Sequence, residues 1–559
     1  MASTPPGHLV LVLHTHLPWV LGHGRWPHGQ DWLHEAIAEC YLPLLRTIDR
    51  LVADGISPKL TIGITPVLAE MLAAKRLRED FIAYCDERIK RAEADRKAFH
   101  EDGAYEAARL AATWSDVYAS ALHDFLATYK ADLIGAFRRL QAGGHIEVLT
   151  SAATHGYLPL LGRDESVAAQ VRAGVATYRR HFGRAPRGIW LPECAYRPGG
   201  PWSRPGGKGR SWRRPGLEDV VAANGLQYFF VDTHLVAGGT PLGTYGDRFG
   251  ERPAAKPRKA TRASPNEAHA LVTRSRRRVA VLARDPRSST QVWSADYGYP
   301  GDGLYLEFHK RKGPGGLRYH RITSRQLPLD AKETYHPEPA AARAKVHAEH
   351  FVGIVKDTLA RHAESTGRPG VVVAPFDTEL FGHWWFEGPQ WLEAVIRGLQ
   401  GDVAPATASG YLKRHPPTSA IRLPEGSWGQ GGNHWVWLND DTRWVWDRVY
   451  AAEDSFVEVV NAARRKRRPE LKRVLAQLAR ELLLLESSDW PFLITTKSAR
   501  DYAEARVRLH LEVFDGLLAA ARRALVGPLA PEDEAFLREA EARDSLFSEV
   551  DLGWWTGEP

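Results

Sequence analysis

Seven short apolar runs punctuate this chain, and most are closed by a residue that carries chemistry. His8 to Leu13 reads as a strand buried on both faces, because its apolar text is continuous after the first residue. It empties into His14-Thr15-His16-Leu17-Pro18. Alternation along a strand sends His14 and His16 to the same side. Leu60 to Ile64, His145 to Leu149, Gly188 to Leu191, Tyr228 to Val231, Arg278 to Leu282 and Gly370 to Phe376 repeat the pattern. The fourth run stops at Pro192 and delivers Glu193; the seventh delivers Asp377 and Glu379.

Helical text separates most of these runs. A helix is expected over about Asp31 to Asp54, with Gly55 as its stop signal, and another over Glu165 to Phe182, closed by Gly183. Leu77 to Leu110 is charged and helix-forming with little apolar face, an excursion from the main body. Ala112 to Ala142 reads as one long amphipathic helix ended by Gly143-Gly144. Short helices lie near Leu217 to Asn224, and a longer one near Pro339 to Ser365. Strands alternating with helices place the chain in the α/β class with a parallel sheet. In a β/α barrel the residues at the strand ends converge on one face.

The alternation stops near Gly410. Asp447 to Arg467, Pro469 to Glu486, Ala499 to Leu525 and Pro531 to Ser545 read as amphipathic helices of an all-helical second domain. The boundaries are therefore set at 1–410 for a catalytic domain, with a helical insertion at about 77–110, and 411–559 for a helical C-terminal domain that contributes to the site. Two stretches read as loops. Arg197 to Gly216 is rich in Gly, Pro, Arg and Trp, and 247–278 carries many more basic than acidic residues with little periodicity. The second reads as a mobile surface loop, or else as a lid.

Composition narrows the classes. At 559 residues the chain can bury a large core. No window is an uninterrupted apolar span of membrane length, and Met1 to Gly7 has no positive n-region or cleavage site, so a cytoplasmic location is expected. Cys40, Cys85 and Cys194 are an odd set without metal-type spacing, which suits a reducing compartment. The net charge of +7 is spread among nearly as many acids and argues weakly for nucleic acid or a membrane surface as partner. The 19 tryptophans change the picture more. Many sit beside Gly, Pro, His and Asp, where core packing explains them poorly and the faces of sugar rings explain them well.

Two strand-end carboxylates with aromatic neighbours are the raw material of glycoside chemistry. The ordered set His14-Thr15-His16-Leu17-Pro18, Thr154-His155-Gly156-Tyr157-Leu158-Pro159, Trp190-Leu191-Pro192-Glu193-Cys194-Ala195-Tyr196, Phe376-Asp377-Thr378-Glu379-Leu380-Phe381-Gly382-His383-Trp384-Trp385 and Ser488-Asp489-Trp490-Pro491-Phe492 resembles the five motifs of glycoside hydrolase family 57. Within it the chain is most similar to the 1,4-α-glucan (glycogen) branching enzymes. The resemblance covers nearly the whole chain. It implies a (β/α)7 barrel with an inserted helical subdomain and an all-helical C-terminal domain. It also implies retaining chemistry on α-1,4-glucans such as amylose and glycogen, with no metal or cofactor.

By motif matching, Glu193 would be the nucleophile and Asp377 the general acid/base. His14, His16, His155, His383 and Asp489 would contact sugar; Arg284, Trp293 and Gly301 would line the donor channel; Trp428 and Trp437 would stack on the acceptor side. Ser498 stands where the branching enzymes tend to carry Gln, and Ser498-Ala499-Arg500-Asp501 also fits a capping box, so it is expected to be mainly structural. Tyr245 is a candidate tip residue of the basic loop. The rival reading of His14, His16 and a distant His and Asp is a zinc site. The rivals for the reaction are an α-glucan hydrolase, a 4-α-glucanotransferase and a silent glucan-binding protein. The residues alone leave donor chain length and oligomeric state open.

Overall fold

The computed structural model describes residues 7–555 apart from 26, 207–210, 239–262, 295, 400, 402 and 467. All seven apolar runs form strands, and they lie side by side and parallel. The order is Gly370–Asp377, Gly7–Thr15, Leu60–Ile64, Ile146–Ser151, Gly188–Trp190, Tyr228–Val231 and Arg278–Ala283. Almost every residue in them is buried, as expected of strands covered by helices on one side and packed inward on the other. The two edges of this order are bridged. The Asp285 N–H donates to Val373 O at 2.8 Å, and the Val371 N–H donates to Asn266 O at 2.9 Å. The chain is thus a mixed α/β fold with a parallel sheet and a helical C-terminal region.

Two expected helices differ in detail. The helix after the first strand is interrupted by a π-helical turn, Ile37–Tyr41, between Gln30–Ala36 and Leu42–Ala53. The helix expected over 112–142 is broken. Its first part belongs to Tyr105–His123, which pairs with Leu77–Glu101 as a hairpin turned at Gly103 (φ 72°). Lys130 and Ala131 then adopt φ of 56° and 58°, and the Asp132 carboxylate caps Leu133–Ala142 by accepting from Gly135 N at 2.7 Å. Residues in left-handed backbone cannot continue a helix, whatever the amphipathic text on either side.

Both stretches expected to be loops contain strands. Gly200–Trp202 pairs antiparallel with Trp212–Arg214. In the basic stretch, 247–262 and Tyr245 lie outside the described residues. The rest is not a mobile loop: His269–Val272 adds an antiparallel strand beside Arg278–Ala283 and buries His269, Ala270 and Leu271. Arg274, Arg276 and Arg277 lie in the connection of that hairpin.

The C-terminal helices Arg443–Ala463, Pro469–Leu485, Asp489–Thr496, Arg500–Ala524 and Pro531–Arg543 pack through residues such as Leu478, Leu482, Val507 and Leu517, all fully buried. Polar ties fix them to the strand ends. His23 shares a 2.7 Å hydrogen bond with Asp544, and Arg506 donates to Trp19 O at 2.7 Å. No described helix is long and apolar enough to cross a membrane.

Candidate active site

Glu193 follows its strand after Leu191-Pro192 and sits in left-handed backbone, φ 61° and ψ 25°, with Cys194 next to it at φ 47°. Such angles are costly for residues with a Cβ and persist only where surroundings enforce them. Here Trp428 does so twice. Its backbone N–H donates to Glu193 O at 3.1 Å, and its indole Nε1–H donates to Glu193 Oε2 at 2.8 Å. Ser488 Oγ reaches Oε1 at 3.4 Å, and His155 Nδ1 lies 3.8 Å from the same oxygen. Asp377 is the last residue of its strand, in register beside His14. Two residues on, Glu379 accepts from Tyr41 Oη at 2.6 Å and from the His16 backbone N–H at 3.2 Å.

Burial dominates the electrostatics of these acids. It pushes Glu193 up to about 8, with the Trp428 donor opposing and the charges of Asp377 and Asp489 adding. It pushes Asp377 up to about 7, reinforced by Glu379 and opposed by His16 and Arg284. Glu379 is raised to about 7 by burial, against its hydrogen bonds from Tyr41 and His16. The cluster therefore keeps protons that free carboxylates lose near pH ~4. Taken singly, the two shifts favour a proton on Glu193 over one on Asp377. The donors favour the reverse: Trp428 and Ser488 serve the ionised form of Glu193, whereas no described hydrogen bond reaches the Asp377 carboxyl. The two carboxyls thus titrate as a coupled pair that holds a proton near neutral pH.

The three expected histidines do come together. His14 Nε2 and His155 Nε2 share a 3.0 Å hydrogen bond, and the His16 and His155 rings stack at 4.0 Å. His16 is held by Thr65 Oγ1 at 3.1 Å and by both oxygens of Asp489 at 3.0 and 3.1 Å; His155 Nδ1 meets Ser488 Oγ at 2.8 Å. Burial drives His14 and His155 well below the usual histidine range, so both are neutral. Asp489 is kept below the usual carboxylate range despite its burial, by His16 and Ser487. The ring nitrogens meet one another and oxygen partners, with only His14 Nδ1 unpartnered. Among the described residues the one metal-like group, Glu481, His510 and Asp544, lies in the C-terminal helices.

Residues 10–424 match the model of Glycosyl hydrolase family 57, and 448–555 match the model of the 1,4-alpha-glucan branching enzyme C-terminal domain. The chain belongs to glycosyl hydrolase family 57. A 1,4-alpha-glucan branching enzyme of Thermococcus kodakarensis is 44% identical over 559 residues, which is 99% of this chain and 79% of that protein. The crystal structure of the same archaeon's family 57 branching enzyme superposes with a TM-score of 0.90 at 43% identity, covering 99% of this chain and 97% of that one. A branching enzyme of Pyrococcus horikoshii gives 0.88 at 40% identity with the same coverage. The α-amylase AmyC of Thermotoga maritima gives 0.80 at 30% identity, covering 99% of both chains.

The other family-matched positions divide. Arg284 is fully buried and forks onto Asp232 with two 2.9 Å bonds; burial would raise Asp232, but the Arg284 charge and His234 hold it at about 2. The guanidinium lies 6.0 Å from the Trp428 ring. Trp428 also meets Trp190 and Trp293 edge-on at 5.1 and 5.9 Å, so it is the hub of the site's aromatic wall. Trp293 donates to Pro375 O at 3.2 Å, just before Asp377.

The structure gives the four remaining positions partners within the protein. Trp437 is 1% exposed and stacked on Tyr157 at 4.4 Å, so its ring has no face to offer an acceptor. Ser498 is exposed, bonds Thr496 Oγ1 at 2.8 Å and caps nothing: Arg500–Ala524 starts from Ala499 with no side-chain cap. Gly301 is covered by Arg325, whose Nε donates to the Gly301 carbonyl at 3.0 Å. His383 bonds Glu39 at 3.1 Å, and its carbonyl accepts from Arg318 at 2.9 Å, so it braces the loop after Asp377.

The supporting acids were missed by sequence reasoning. The π-helical turn Ile37–Tyr41 presents Glu39, Cys40 and Tyr41 in succession to His383, Thr378 O and Glu379. Such turns recur at functional sites of this kind. Glu39 is itself bonded by Arg318 at 2.6 Å and by Tyr118 Oη at 2.9 Å. Its one signal in the sequence was a glutamate set among Ile37, Ala38, Cys40 and Tyr41.

Proposed function

We propose that this protein is a 1,4-α-glucan branching enzyme. It cleaves an α-1,4 bond and passes the freed chain to a 6-hydroxyl in two displacements that retain configuration. Glu193 attacks C1 while Asp377 protonates the leaving oxygen; Asp377 then acts as base toward the incoming hydroxyl. The two carboxyl groups of a retaining site stand about 5–5.5 Å apart. Those roles need a charge on Glu193, which the Trp428 and Ser488 donors serve, and a proton on Asp377; once the glycosyl-enzyme forms, Glu193 no longer opposes ionisation of Asp377. His14, His16, His155 and Asp489 form the polar rim for sugar hydroxyls, and Trp428 with Trp293 the apolar wall.

One observation carries the reading. The segment 448–555, matched to the branching-enzyme C-terminal model, supplies Ser488 at Glu193 and Asp489 at His16. We further infer a (β/α)7 barrel over residues 1–410, bearing the helical hairpin as its insertion, and a helical domain over 411–559. The substrate is α-1,4-glucan; the relative from Thermococcus was crystallised with glucose. Three buried unpaired cysteines fit the cytoplasm.

The likeness to an α-amylase favours hydrolysis as the second reading. Incubation with amylose, scoring α-1,6 linkages and reducing ends together, separates them. A branching enzyme makes new α-1,6 bonds well in excess of reducing ends; a hydrolase makes reducing ends alone, and a silent binding protein makes neither.

A further inference from the structure

Trp384 is 51% exposed, the most exposed tryptophan among the described residues. Its neighbour Trp385 is buried. An indole left in water forgoes burial that most other rings in this chain obtain. It is not loose: the Trp384 N–H donates to Glu379 O at 3.3 Å, the Trp385 N–H to Leu380 O at 2.7 Å and the Gly382 N–H to Trp385 O at 2.7 Å. One face of the indole lies on Phe308, with ring centres 4.1 Å apart and planes 28° apart. Phe308 in turn meets His383 edge-on at 5.1 Å and has the Arg318 guanidinium 5.6 Å from its centre. That charge is already neutralised by Glu39. The result is a flat, uncharged double ring, half exposed, with the His383 and His309 rings edge-on to the indole at 5.7 and 6.4 Å.

Its distance from the chemistry follows from the backbone. Asp377 and Glu379 are two residues apart, and the Glu379 carbonyl accepts from Trp384, so the Trp384 Cα lies within about 15 Å of the Asp377 Cα. Its ring contacts among the described residues are with Phe308, His309 and His383, and none is with Trp190, Trp293 or Trp428, so it stands outside the aromatic wall beside Glu193. It suits a sugar several units along the same chain.

We propose that Trp384, backed by Phe308, is an outer platform that stacks an α-glucan chain a few glucose units away from the cleavage point. The occupant follows from continuity: the platform is built on the loop that carries Asp377 and Glu379, and a neutral polymer of sugar rings needs a flat apolar face rather than charge. The inference rests on the glucan reading of the site and adds how long chains are selected over short ones.

The test measures binding of maltooligosaccharides of increasing length and of amylose to Glu193→Gln protein, with and without Trp384→Ala. The expected result is a loss that grows with length and reaches about tenfold on amylose, the effect of ~1.4 kcal/mol from one stacked ring. Trp384→Phe should retain most of the affinity. A loss equal at all lengths, or no loss in a variant with unchanged Tm, overturns the platform. So does a change of oligomeric state with affinity intact, which would make the ring a contact between copies. Wild-type protein that forms no α-1,6 bonds, while Trp384→Ala still shows the length-dependent loss, would sink the branching reading and leave the platform standing.

Discussion

Trp428 holds Glu193 by both ends: its backbone N–H bonds the glutamate's carbonyl at 3.1 Å and its indole N–H bonds the carboxylate at 2.8 Å, across 235 positions of sequence. The ring we assign to sugar contact therefore also sets the state of the proposed nucleophile. Trp428→Phe keeps the flat ring and removes the indole donor. A hydrogen bond to a charged group is worth ~1.5–3 kcal/mol, so kcat should fall about 10- to 100-fold. Without the donor Glu193 ionises at still higher pH, and the acid limb of the kcat profile should move to the alkaline side. An unmoved limb would reduce Trp428 to a stacking surface.

Glu379 works on Asp377 through its charge. Replacing it with Gln removes that negative neighbour, so Asp377 should lose its proton at lower pH than its present value of about 7. The alkaline limb of kcat should then shift to lower pH, with the acid limb nearly unchanged. Glu379→Asp should restore much of the wild-type profile. A fall in kcat without any shift would mean that Glu379 only holds Tyr41 and His16 in place.

Glu193→Gln should abolish turnover and raise stability at alkaline pH. The carboxyl is raised from 4.5 to about 8 in the folded state. Its stabilising contribution is full below the unfolded pKa and is lost as pH rises toward the folded one. The gain in Tm from the amide should therefore be small at pH 4.5, grow with pH and level off above about 8. Thermal melts of both proteins across that range measure it directly.

The Arg284–Asp232 fork is a buried pair, and removing one partner strands a charge. Asp232→Asn should destabilise the protein by ~3–5 kcal/mol. Asp232 is depressed to about 2, so its contribution is present above the unfolded pKa near ~3.9 and fades as pH falls toward 2. Denaturant midpoints at pH 7 and pH 3 should show a smaller difference between wild type and variant at the lower pH.

Exhaustive chelation should leave activity unchanged. His14, His16 and His155 already use their nitrogens on one another and on Thr65, Asp489 and Ser488. Loss of activity on chelation, restored by zinc, would require those contacts to open and would return the site to the metal reading.

The seven strands were legible because a buried parallel strand is written as a largely apolar run, and here most runs end in a conspicuous residue. Glu193, Asp377 and the histidines could be read for the same reason. The supports were not, because their partners are remote: Glu39 meets His383 and Tyr41 meets Glu379 only once the sheet has formed. The break at Lys130-Ala131 escaped notice because left-handed backbone is invisible to apolar periodicity. The closed face of Trp437 was not legible because Gly429, eight residues earlier, has no Cβ, and only the folded loop brings the Trp437 ring against it.

The left-handed backbone at Glu193 sets stamina against chemistry at a single codon. Glycine adopts a φ of 61° without penalty, while a glutamate there costs ~1–3 kcal/mol in conformation before its buried charge is counted. A library sorted only for survival of heating would thus accumulate Gly at 193 and lose turnover in the same step. Directed evolution of this protein for heat tolerance needs an activity screen in every round.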